Sequence, residues 1–551
     1  MTATTAPRTV GTPRHGDDGG GELTGTGALL RLFLRLSRRQ VVVWALALLL
    51  LVASSVVALE ETYPDAAALQ ARAALLGNPA AVMMTGPAFA LENYTFGAMV
   101  ANELALWVLL PAAIMSVLLA VRHTRAEEES GRLEMLRALP VGRYAPAVAA
   151  LLTVTIANAV VGVAVGGALV GTGMATADSL AFGLATALTG LVFGALAAVA
   201  AQLTEHARAA SGLGLGAIAV AFLVRGVGDV LDREGSWLSW LSPFAWAQQT
   251  RLYVDLRWWP LAVSAAVTLV LLVVAASFAR RRDLGAGLRP TRPGPAEAAH
   301  SLLAPTGLTR RLVSGTFLAW AVALFFFAVA FGTLANSLED MIADIPAVGE
   351  WVDLDLENLT RSFAALMLSF LAVGPAALAV SGVLQLRGEE RAGRLEGVLV
   401  SGSTRAAVLG RWVAVVLVEA AAVQAVLGLG VGLGVAAATG EAGWVAEMLL
   451  GSLAYLPAVL LFGSVAVALY GVVPRVASLA WALVVWAAVV VFLGELLGLP
   501  AWARDVSPLA QTPLVPDASP AVAPLVVMSV LAAALTLLGV VGLRRRDVGA
   551  A

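Results

Sequence analysis

Two short acidic segments carry the residues of this chain whose types and spacing could do chemistry. Residues 126–134 read AEEESGRLE and residues 388–396 read GEERAGRLE, so one motif occurs twice, 262 positions apart. Carboxylates and a guanidinium at fixed spacing form a charged surface that can recognise a partner protein. A single copy would be equally typical of a solvated loop, but two nearly identical copies favour docking of a partner with twofold symmetry.

The rest of the sequence offers little to a catalytic or metal site. The chain has no cysteine and four scattered histidines, which excludes disulfides, thiolate chemistry and a cysteine-based metal site. All 35 basic residues are arginine. Without lysine the chain cannot be a standard P-loop ATPase by itself. We therefore expect a protein that is not an enzyme, that holds no metal or cofactor of its own, and that has no nucleic acid partner.

Three polar residues lie inside apolar stretches. Glu419 stands near the middle of one stretch, and Gln424 follows a little over one helical turn later. Because an intramembrane carboxylate is costly and usually functional, these two residues are candidates for a substrate pathway or a proton relay. A neutral Glu419, hydrogen-bonded to a neighbouring helix, fits the sequence equally well. Glu103 is a third candidate for the pathway, although its place near the end of a stretch favours a structural role.

The composition places these residues in a membrane protein. Charged residues are 13% of the chain and hydrophobic residues 59%, whereas a soluble domain carries about twice that charged fraction. The apolar residues fall in stretches of the roughly 20 residues that cross a bilayer as a helix, and their continuity argues against a β-barrel. We predict an all-α polytopic membrane protein with about twelve transmembrane helices. Their predicted ranges are 41–59, 99–121, 145–170, 180–203, 211–227, 260–278, 313–334, 362–386, 407–437, 445–470, 478–493 and 522–543.

The arginines set the predicted orientation of the chain. With both termini in the cytoplasm, seven arginines face outside and 28 of the 35 (35 − 7) face inside, as the positive-inside rule requires. The outer loops are instead acidic, as at residues 350–357. The seven outer arginines are Arg72, Arg225, Arg233, Arg251, Arg257, Arg361 and Arg504.

The two halves of the chain match beyond the acidic motif. An Arg-Arg-Arg-Asp sequence closes each half, at residues 280–283 and 544–547. Because six spans is an even number, we expect the two homologous six-helix halves to be parallel in orientation and related by a pseudo-twofold axis along the membrane normal. The predicted organisation is a disordered cytoplasmic tail at 1–25, a first six-span half at 26–283, a cytoplasmic linker at 284–309 and a second six-span half at 310–551.

Three further patterns predict how the spans begin, pack and end. Residues 29–39 place arginine and leucine on opposing faces, which predicts a helix in the cytoplasmic interface before the first span. Glycines in spans three and nine allow close helix approach; they are Gly162, Gly166, Gly167, Gly428, Gly430, Gly432 and Gly434. Tryptophans before span six suit the outer interface; they are Trp237, Trp240, Trp246, Trp258 and Trp259.

Together these features resemble the permeases of ABC-2-type transporters. The shared pattern is E-x-x-x-G-x-L-E after the second span, with an interfacial helix before span one and a long outer loop before span six. At double length, the chain is similar to the fused, twelve-span type found among actinobacterial exporters of polyketide antibiotics and other drugs. The resemblance covers almost the whole chain except the N-terminal tail and the linker.

The resemblance assigns a role to the acidic motif. In that family the segment is a coupling helix that sits in a cleft of the ATPase subunit, and short re-entrant helices occupy the outer segments, here 229–259 and 494–521. The two copies diverge after the motif, so the two docking contacts can differ in strength. The matching positions are Glu127, Glu128, Gly131, Arg132, Leu133 and Glu134 in the first copy, and Glu389, Glu390, Gly393, Arg394, Leu395 and Glu396 in the second.

The resemblance also implies partners and a location. It implies the permease subunit of an ATP-driven exporter in the bacterial inner (plasma) membrane, surrounded by membrane lipid. A separate ATPase homodimer, two ATPases for one permease, would bind the ATP and the magnesium ion. The cargo would be a hydrophobic or amphipathic small molecule such as an antibiotic or a drug, which fits the sparse polar side chains within the spans.

An ion-gradient-driven secondary transporter of major-facilitator-like architecture is the alternative, because it also has two parallel six-span halves. That class predicts a basic Gly-Asp-Arg-type loop between spans two and three and several carboxylates within the bundle. This chain instead has an acidic loop and essentially one deep carboxylate, Glu419. A membrane-embedded enzyme or scaffold has still less support, because the inner loops hold no metal cluster or nucleophile–base pair.

Overall fold

The computed structural model describes residues 21–76, 82–83, 85–87, 89–232, 234–289, 296–333, 335, 359–493, 499–518 and 522–546. Within these ranges the chain is helical and contains no strand. Most of the predicted tail, the acidic residues 350–357, Arg233, Asp547, and parts of the linker and of the second outer segment lie outside the described residues.

The chain divides into two compact units, Met1–Pro293 and Gly294–Ala551. The helices of the first unit are α1 (Thr26–Thr62), α2 (Ala66–Leu76), α3 (Phe96–His123), α4 (Arg125–Glu129), α5 (Arg132–Arg137), α6 (Ala145–Gly171), α7 (Thr176–Leu203), α8 (Ala207–Leu231), α9 (Pro243–Gln248) and α10 (Trp259–Arg280). Those of the second unit are α11 (His300–Leu303), α12 (Gly307–Gly332), α13 (Leu359–Leu371), α14 (Val373–Arg391), α15 (Arg394–Val400), α16 (Arg405–Thr439), α17 (Gly443–Leu453), α18 (Leu456–Val472), α19 (Ala480–Leu493), α20 (Ala501–Asp505) and α21 (Val522–Arg545).

Twelve segments of the described chain are helices long and apolar enough to cross a membrane. They coincide with the twelve predicted spans, so the prediction of an all-α polytopic membrane protein is confirmed. Span eight is built from α13 and α14, and span ten from α17 and α18. In both units the second and fourth spans are the most buried, whereas the sixth keeps most of its apolar surface on the outside of the unit.

The same packing pattern recurs inside each unit. In the first, α7 contacts α3, α6, α8 and α10, and α6 also contacts α1. In the second, α18 contacts α14 and α21, and α16 contacts both α12 and α17. The first span of each unit therefore packs on the third, and the fourth span packs on the second and the sixth. This arrangement brings the end of span two that carries the acidic motif near the end of span six.

The interfacial segment at residues 29–39 is not a separate helix, contrary to our expectation. It forms the first turns of α1, which runs unbroken for 37 residues. The physical reason is that no glycine or proline interrupts the chain between residues 28 and 62. One face of this start is buried against the beginning of α6 through Leu29 and Phe33, while its arginines stay exposed.

Six of the seven predicted glycines lie at close helix contacts. A Cβ atom at Gly162 would lie 2.5 Å from the carbonyl oxygen of Gly183 in α7, and one at Gly434 would lie 2.3 Å from that of Val329 in α12. Gly167 is the exception, because nothing among the described residues lies within 4 Å of an added Cβ there. The prediction of a packing role for Gly167 is wrong, and its side of α6 faces outward.

The outer end of span five differs from the sequence prediction. We placed Arg225 among the arginines of the outer side and began the outer segment at Asp229, but both side chains are completely buried within α8. An Arg225 nitrogen lies 3.2 Å from Asp229 Oδ2, and the hydroxyl of Ser239 donates to Asp229 Oδ1 at 2.6 Å. The buried pair is tolerated because each charge has a partner, and Arg225 also donates to the carbonyl of Met83.

The predicted outer segment that follows span five contains the short helix α9. Of its tryptophans, Trp246 is buried, while Trp237, Trp258 and Trp259 are exposed.

The glycine contacts give the first prediction. Gly162→Ala should lower the free energy of unfolding by about 1–3 kcal/mol, because the added methyl group must push α6 away from α7. Gly167→Ala is the matched control on the same helix; it should leave stability unchanged or raise it by up to about 1 kcal/mol. Chemical denaturation of the purified protein in mixed micelles measures both. Equal effects of the two substitutions would contradict the assigned packing.

Candidate functional site

Both copies of the acidic motif fold into the same turn. In the first copy, α4 ends at Glu129 and α5 begins at Arg132; in the second, α14 ends at Arg391 and α15 begins at Arg394. The glycine between the two helices is left-handed in each case, with φ of 73° at Gly131 and 72° at Gly393. Glycine adopts this conformation without the cost that a side chain would impose. The glycine of the motif is therefore required by the backbone of the turn.

The first acid of each motif closes the turn from within. Nε and Nη2 of Arg132 donate to Glu127 at 2.7 and 3.1 Å, and the same two nitrogens of Arg394 donate to Glu389 at 2.6 and 2.7 Å. The carboxylate that accepts these bonds raises the pKa of each arginine. Both guanidiniums are more than half exposed, so each pair orients the turn more than it stabilises the fold.

The second acid of each motif is buried and clamped by an arginine from the end of the unit's last span. Arg282 Nη1 and Nη2 donate to the two oxygens of Glu128 at 2.5 and 2.8 Å. Arg546 donates to the two oxygens of Glu390 in the same way, at 2.6 and 2.8 Å. The side chains of Glu128 and Glu390 are only 4% and 1% exposed. Such bidentate, charge-assisted pairs are among the strongest hydrogen-bonded contacts in proteins.

The end of span four completes each clamp. In the first unit, Gln202 of α7 accepts a hydrogen bond from Arg282 at 2.7 Å. In the second, the hydroxyl of Tyr470 in α18 donates to Glu390 at 2.7 Å. Arg125, completely buried, adds a second ion pair to Glu128 at 2.8 Å. Each turn is thus fixed to the ends of spans two, four and six.

The remaining motif residues divide into a buried and an exposed class. Leu395 is buried in the apolar core of its unit, and Leu133 is half-buried. The final acids, Glu134 and Glu396, are exposed in the first turn of α5 and α15. Among the described residues neither carboxylate has an ion pair or a hydrogen bond. Of the predicted coupling residues, these two acids are the ones left open to a partner.

The two turns differ at one charged position. Glu129 accepts a hydrogen bond from the backbone nitrogen of Ala207 at 2.7 Å, which ties the first turn to the start of span five. Arg391 occupies the equivalent place, 262 positions on, and is exposed. An arginine cannot accept that bond. In the second unit the end of span two is tied to the start of span eleven differently, because Arg387 of α14 donates to the carbonyl of Arg475 at 3.2 Å.

The candidate pathway residues have separate surroundings. Glu103 accepts two hydrogen bonds from Arg72 of α2, at 2.8 and 2.6 Å, which supports a structural role. The Gln424 amide is completely buried and donates to the Ser452 carbonyl at 3.0 Å, joining α16 to α17. Glu419 is half-buried, and its Oε2 has no hydrogen-bond partner in the part of the chain that the structure describes. Five residues separate Glu419 from Gln424, so they point to different sides of α16.

The arginines that pair with the second acids are not among the site residues predicted from the sequence. Arg282 and Arg546 lie in the repeated Arg-Arg-Arg-Asp sequence, which we took as a marker of the repeat and of orientation. A signal was present, because an acid and an arginine recur together at nearly the same offset, 262 and 264 positions. A buried contact between Asn158 and Ser116, with bonds of 2.8 and 3.0 Å between spans two and three, was also missed.

Similarity to known proteins agrees with this architecture. Residues 27–280 and 302–544, one segment in each compact unit, match the family described as multidrug efflux system permease Rv1217c, C-terminal domain. The multidrug efflux system permease protein Rv1217c of Mycobacterium tuberculosis (strain ATCC 25618 / H37Rv) is 36% identical to the chain over 534 residues. That alignment covers 96% of this chain and 96% of the relative.

The buried clamp gives the second prediction. Arg546→Met should lower the free energy of unfolding by roughly 3 kcal/mol or more, because it leaves the Glu390 carboxylate buried without its cation. Arg394→Met removes an equally close but exposed partner from the same turn and should cost at most about 1 kcal/mol. The double variant Glu390→Gln/Arg546→Met should cost less than the sum of its single variants. Denaturation in mixed micelles tests this, and additive single effects would contradict a direct clamp.

Proposed function

The chain belongs to the family of the multidrug efflux system permease Rv1217c, and on that premise we propose that it is the permease subunit of an ATP-driven exporter. The twelve spans would form the pathway through the bacterial plasma membrane, with both termini in the cytoplasm. A separate ATPase dimer would bind and hydrolyse ATP with magnesium. The transporter would be of the ABC-2 type, in the fused double-length form to which the sequence is similar.

The observation that carries this proposal is the paired geometry of the two acidic turns. Each turn presents an exposed acid that has no ion pair among the described residues, Glu134 or Glu396, at the start of a short helix. Two such surfaces on one chain suit two copies of the same ATPase subunit. Because the surfaces differ at Glu129 and Arg391, the two contacts would be unequal in charge.

The clamps supply a route from the ATPase to the spans. A turn that merely lay on the surface could move without moving a helix. Here Glu128 and Glu390 fix each turn to spans two and six through Arg282 and Arg546. A push on the turn would therefore be transmitted to three spans of its own unit, including span four through Gln202 or Tyr470.

The relative's name and the composition of the spans support a class of cargo. The relative's name describes multidrug efflux, and the spans of this chain are apolar with few polar side chains. Both support export of hydrophobic or amphipathic compounds, such as antibiotics or drugs. Glu419, with its unpartnered oxygen, would be the residue that meets a cationic group of such a compound.

The acidic turns lead to the third prediction. The chain, purified through a tag after co-expression with candidate ATPase subunits, should retain the ATPase and hydrolyse ATP. Glu134→Arg/Glu396→Arg should abolish both, because it reverses the charge of the two exposed acids. Glu441→Arg is the matched control, since Glu441 is equally exposed but lies at the opposite end of α16 from its turn. Retention of the ATPase by the double variant would overturn the assigned docking surface.

A substitution of Glu419 distinguishes the ATP-driven exporter from the alternative, a secondary transporter. The observation that favours the alternative is the Glu419 oxygen without a partner among the described residues. An ATP-driven exporter relays no proton through Glu419. In such an exporter, the Glu419→Gln variant should transport uncharged compounds into vesicles at a rate within a few-fold of the unsubstituted protein when ATP is supplied. A secondary transporter would instead follow an imposed proton gradient without an ATPase and would lose transport in this variant. That second outcome would contradict the proposed function.

A further inference from the structure

An apolar groove of about 290 Å³ lies between spans three, four and six of the first unit. Its walls belong to α6, α7 and α10 and include Leu151, Leu188, Leu191, Leu269 and Leu272. Leu269 is exposed, so the groove opens to the surroundings of the unit. At about 1.5 Å per residue, the groove lies about 9–22 Å along these helices from their ends beside the acidic turn. That depth is within the hydrocarbon core, in the half of the bilayer nearer the turn.

The groove offers no free polar side chain among the described residues that line it. Its two polar side chains are Thr155 and Thr268, and each hydroxyl donates to a carbonyl of its own helix, Leu151 at 2.9 Å and Ser264 at 2.8 Å. A water molecule in a cavity needs about two to four polar partners, so water is a poor occupant. Pockets for drug-sized compounds also carry a few placed polar groups. The lining therefore favours a plain hydrocarbon chain.

The second unit holds its fourth and sixth spans together at the same depth. Thr536 of α21 donates to the hydroxyl of Ser464 in α18 at 3.0 Å, and a Cβ atom at Gly539 would overlap the backbone of α18. In the first unit, 264 positions earlier, Leu272 stands for Thr536 and Ala275 for Gly539. A leucine cannot donate that bond, and an alanine prevents so close an approach. The open space between spans four and six is therefore a property of the first unit's sequence.

We propose that this groove binds one acyl chain of a membrane lipid. The apolar spans place the first unit in a bilayer, and at the depth of the groove the bilayer consists of acyl chains. An unfilled groove would leave its lining side chains without contacts on one side. A chain that lies between three helices gains dispersion contacts that the convex surface of a single helix does not provide.

A chain in the groove would act on the first clamp. Spans four and six flank the groove, and near their ends the Gln202 side chain accepts a hydrogen bond from Arg282, which also holds Glu128. A chain between the two spans would keep them at the spacing on which that clamp depends. This inference goes beyond the proposed transport function and does not depend on which partner drives the permease.

The test uses the full chain in phosphatidylcholine vesicles that contain a trace of the same lipid with a diazirine halfway along one acyl chain. After irradiation, mass spectrometry of peptic fragments locates the adducts. We expect adducts on residues 188–195 of α7, which include the floor of the groove. Residues 457–464 of α18 are buried to a similar degree and end at Ser464, so they should carry fewer. Equal yields from the two segments would contradict the proposal.

Two neighbouring positions on α10 separate the groove from the general lipid surface. Ala265 lines the groove, whereas Ala266 is exposed and lies outside it. Ala265→Phe should lower the adduct yield on residues 188–195 by at least about threefold, because the ring occupies the contacts of the chain. Ala266→Phe should leave that yield unchanged, and an equal loss in both variants would refute the site. Adducts on the exposed Val270 and Val273 should persist in both variants, which shows that each is folded and inserted.

The same assay distinguishes the acyl chain from a headgroup and from cargo. Phosphatidylglycerol with the same reactive chain should label the groove as strongly as phosphatidylcholine, and a strong preference for one headgroup would overturn the assignment to the chain. Nile red, an uncharged hydrophobic dye, should not reduce the labelling when it is added in molar excess over the protein. Displacement by Nile red would reassign the groove to cargo and overturn the lipid proposal. None of these results bears on ATPase docking, so this proposal can fail while the proposed function stands.

Discussion

The buried carboxylate–guanidinium pair at the end of each unit is the contact on which the candidate site depends. A buried charge at the end of an apolar helix destabilises the fold unless an oppositely charged group lies beside it. Glu128 and Glu390 meet that constraint with Arg282 and Arg546, which directly follow the last span of the same unit. Because the pair is buried, the short turn that follows the acid has a defined position relative to spans two and six. Removing the pair would leave the first turn held mainly by exposed contacts and the second turn held mainly by the burial of Leu395.

This constraint explains why the motif repeats so closely. The first acid and the arginine orient the turn, the glycine supplies its left-handed backbone, and the second acid anchors it. A repeated sequence therefore does not by itself identify a docking surface, since most of the repeated residues serve the turn itself. Of the three acids that the family pattern places in each copy, only the last, Glu134 or Glu396, is exposed and has no ion pair among the described residues. The proposal of ATPase docking is narrowed accordingly to the outer faces of α5 and α15.

The sequence was enough to predict the spans but not their connections. Long apolar stretches predict membrane helices because the bilayer requires a fixed length and internal backbone bonding. Pairing of Glu128 with Arg282 joins residues 154 positions apart, and no local pattern indicates such a contact. The prediction of a separate helix before span one was wrong because no glycine or proline breaks α1 there. The prediction for Gly167 was wrong because its contacts depend on which helices lie beside α6.

Site-directed cross-linking tests the central claim most directly. The chain has no cysteine, so a single introduced thiol gives an unambiguous position. Glu134→Cys and Glu396→Cys, treated with a short bifunctional reagent in membranes that contain the cognate ATPase, should each cross-link to that subunit. Glu441→Cys, at the opposite end of α16, should not. Absence of a cross-link from both turns, or an equal yield from Glu441→Cys, would contradict the assignment of the two acidic turns as the docking surfaces of the permease.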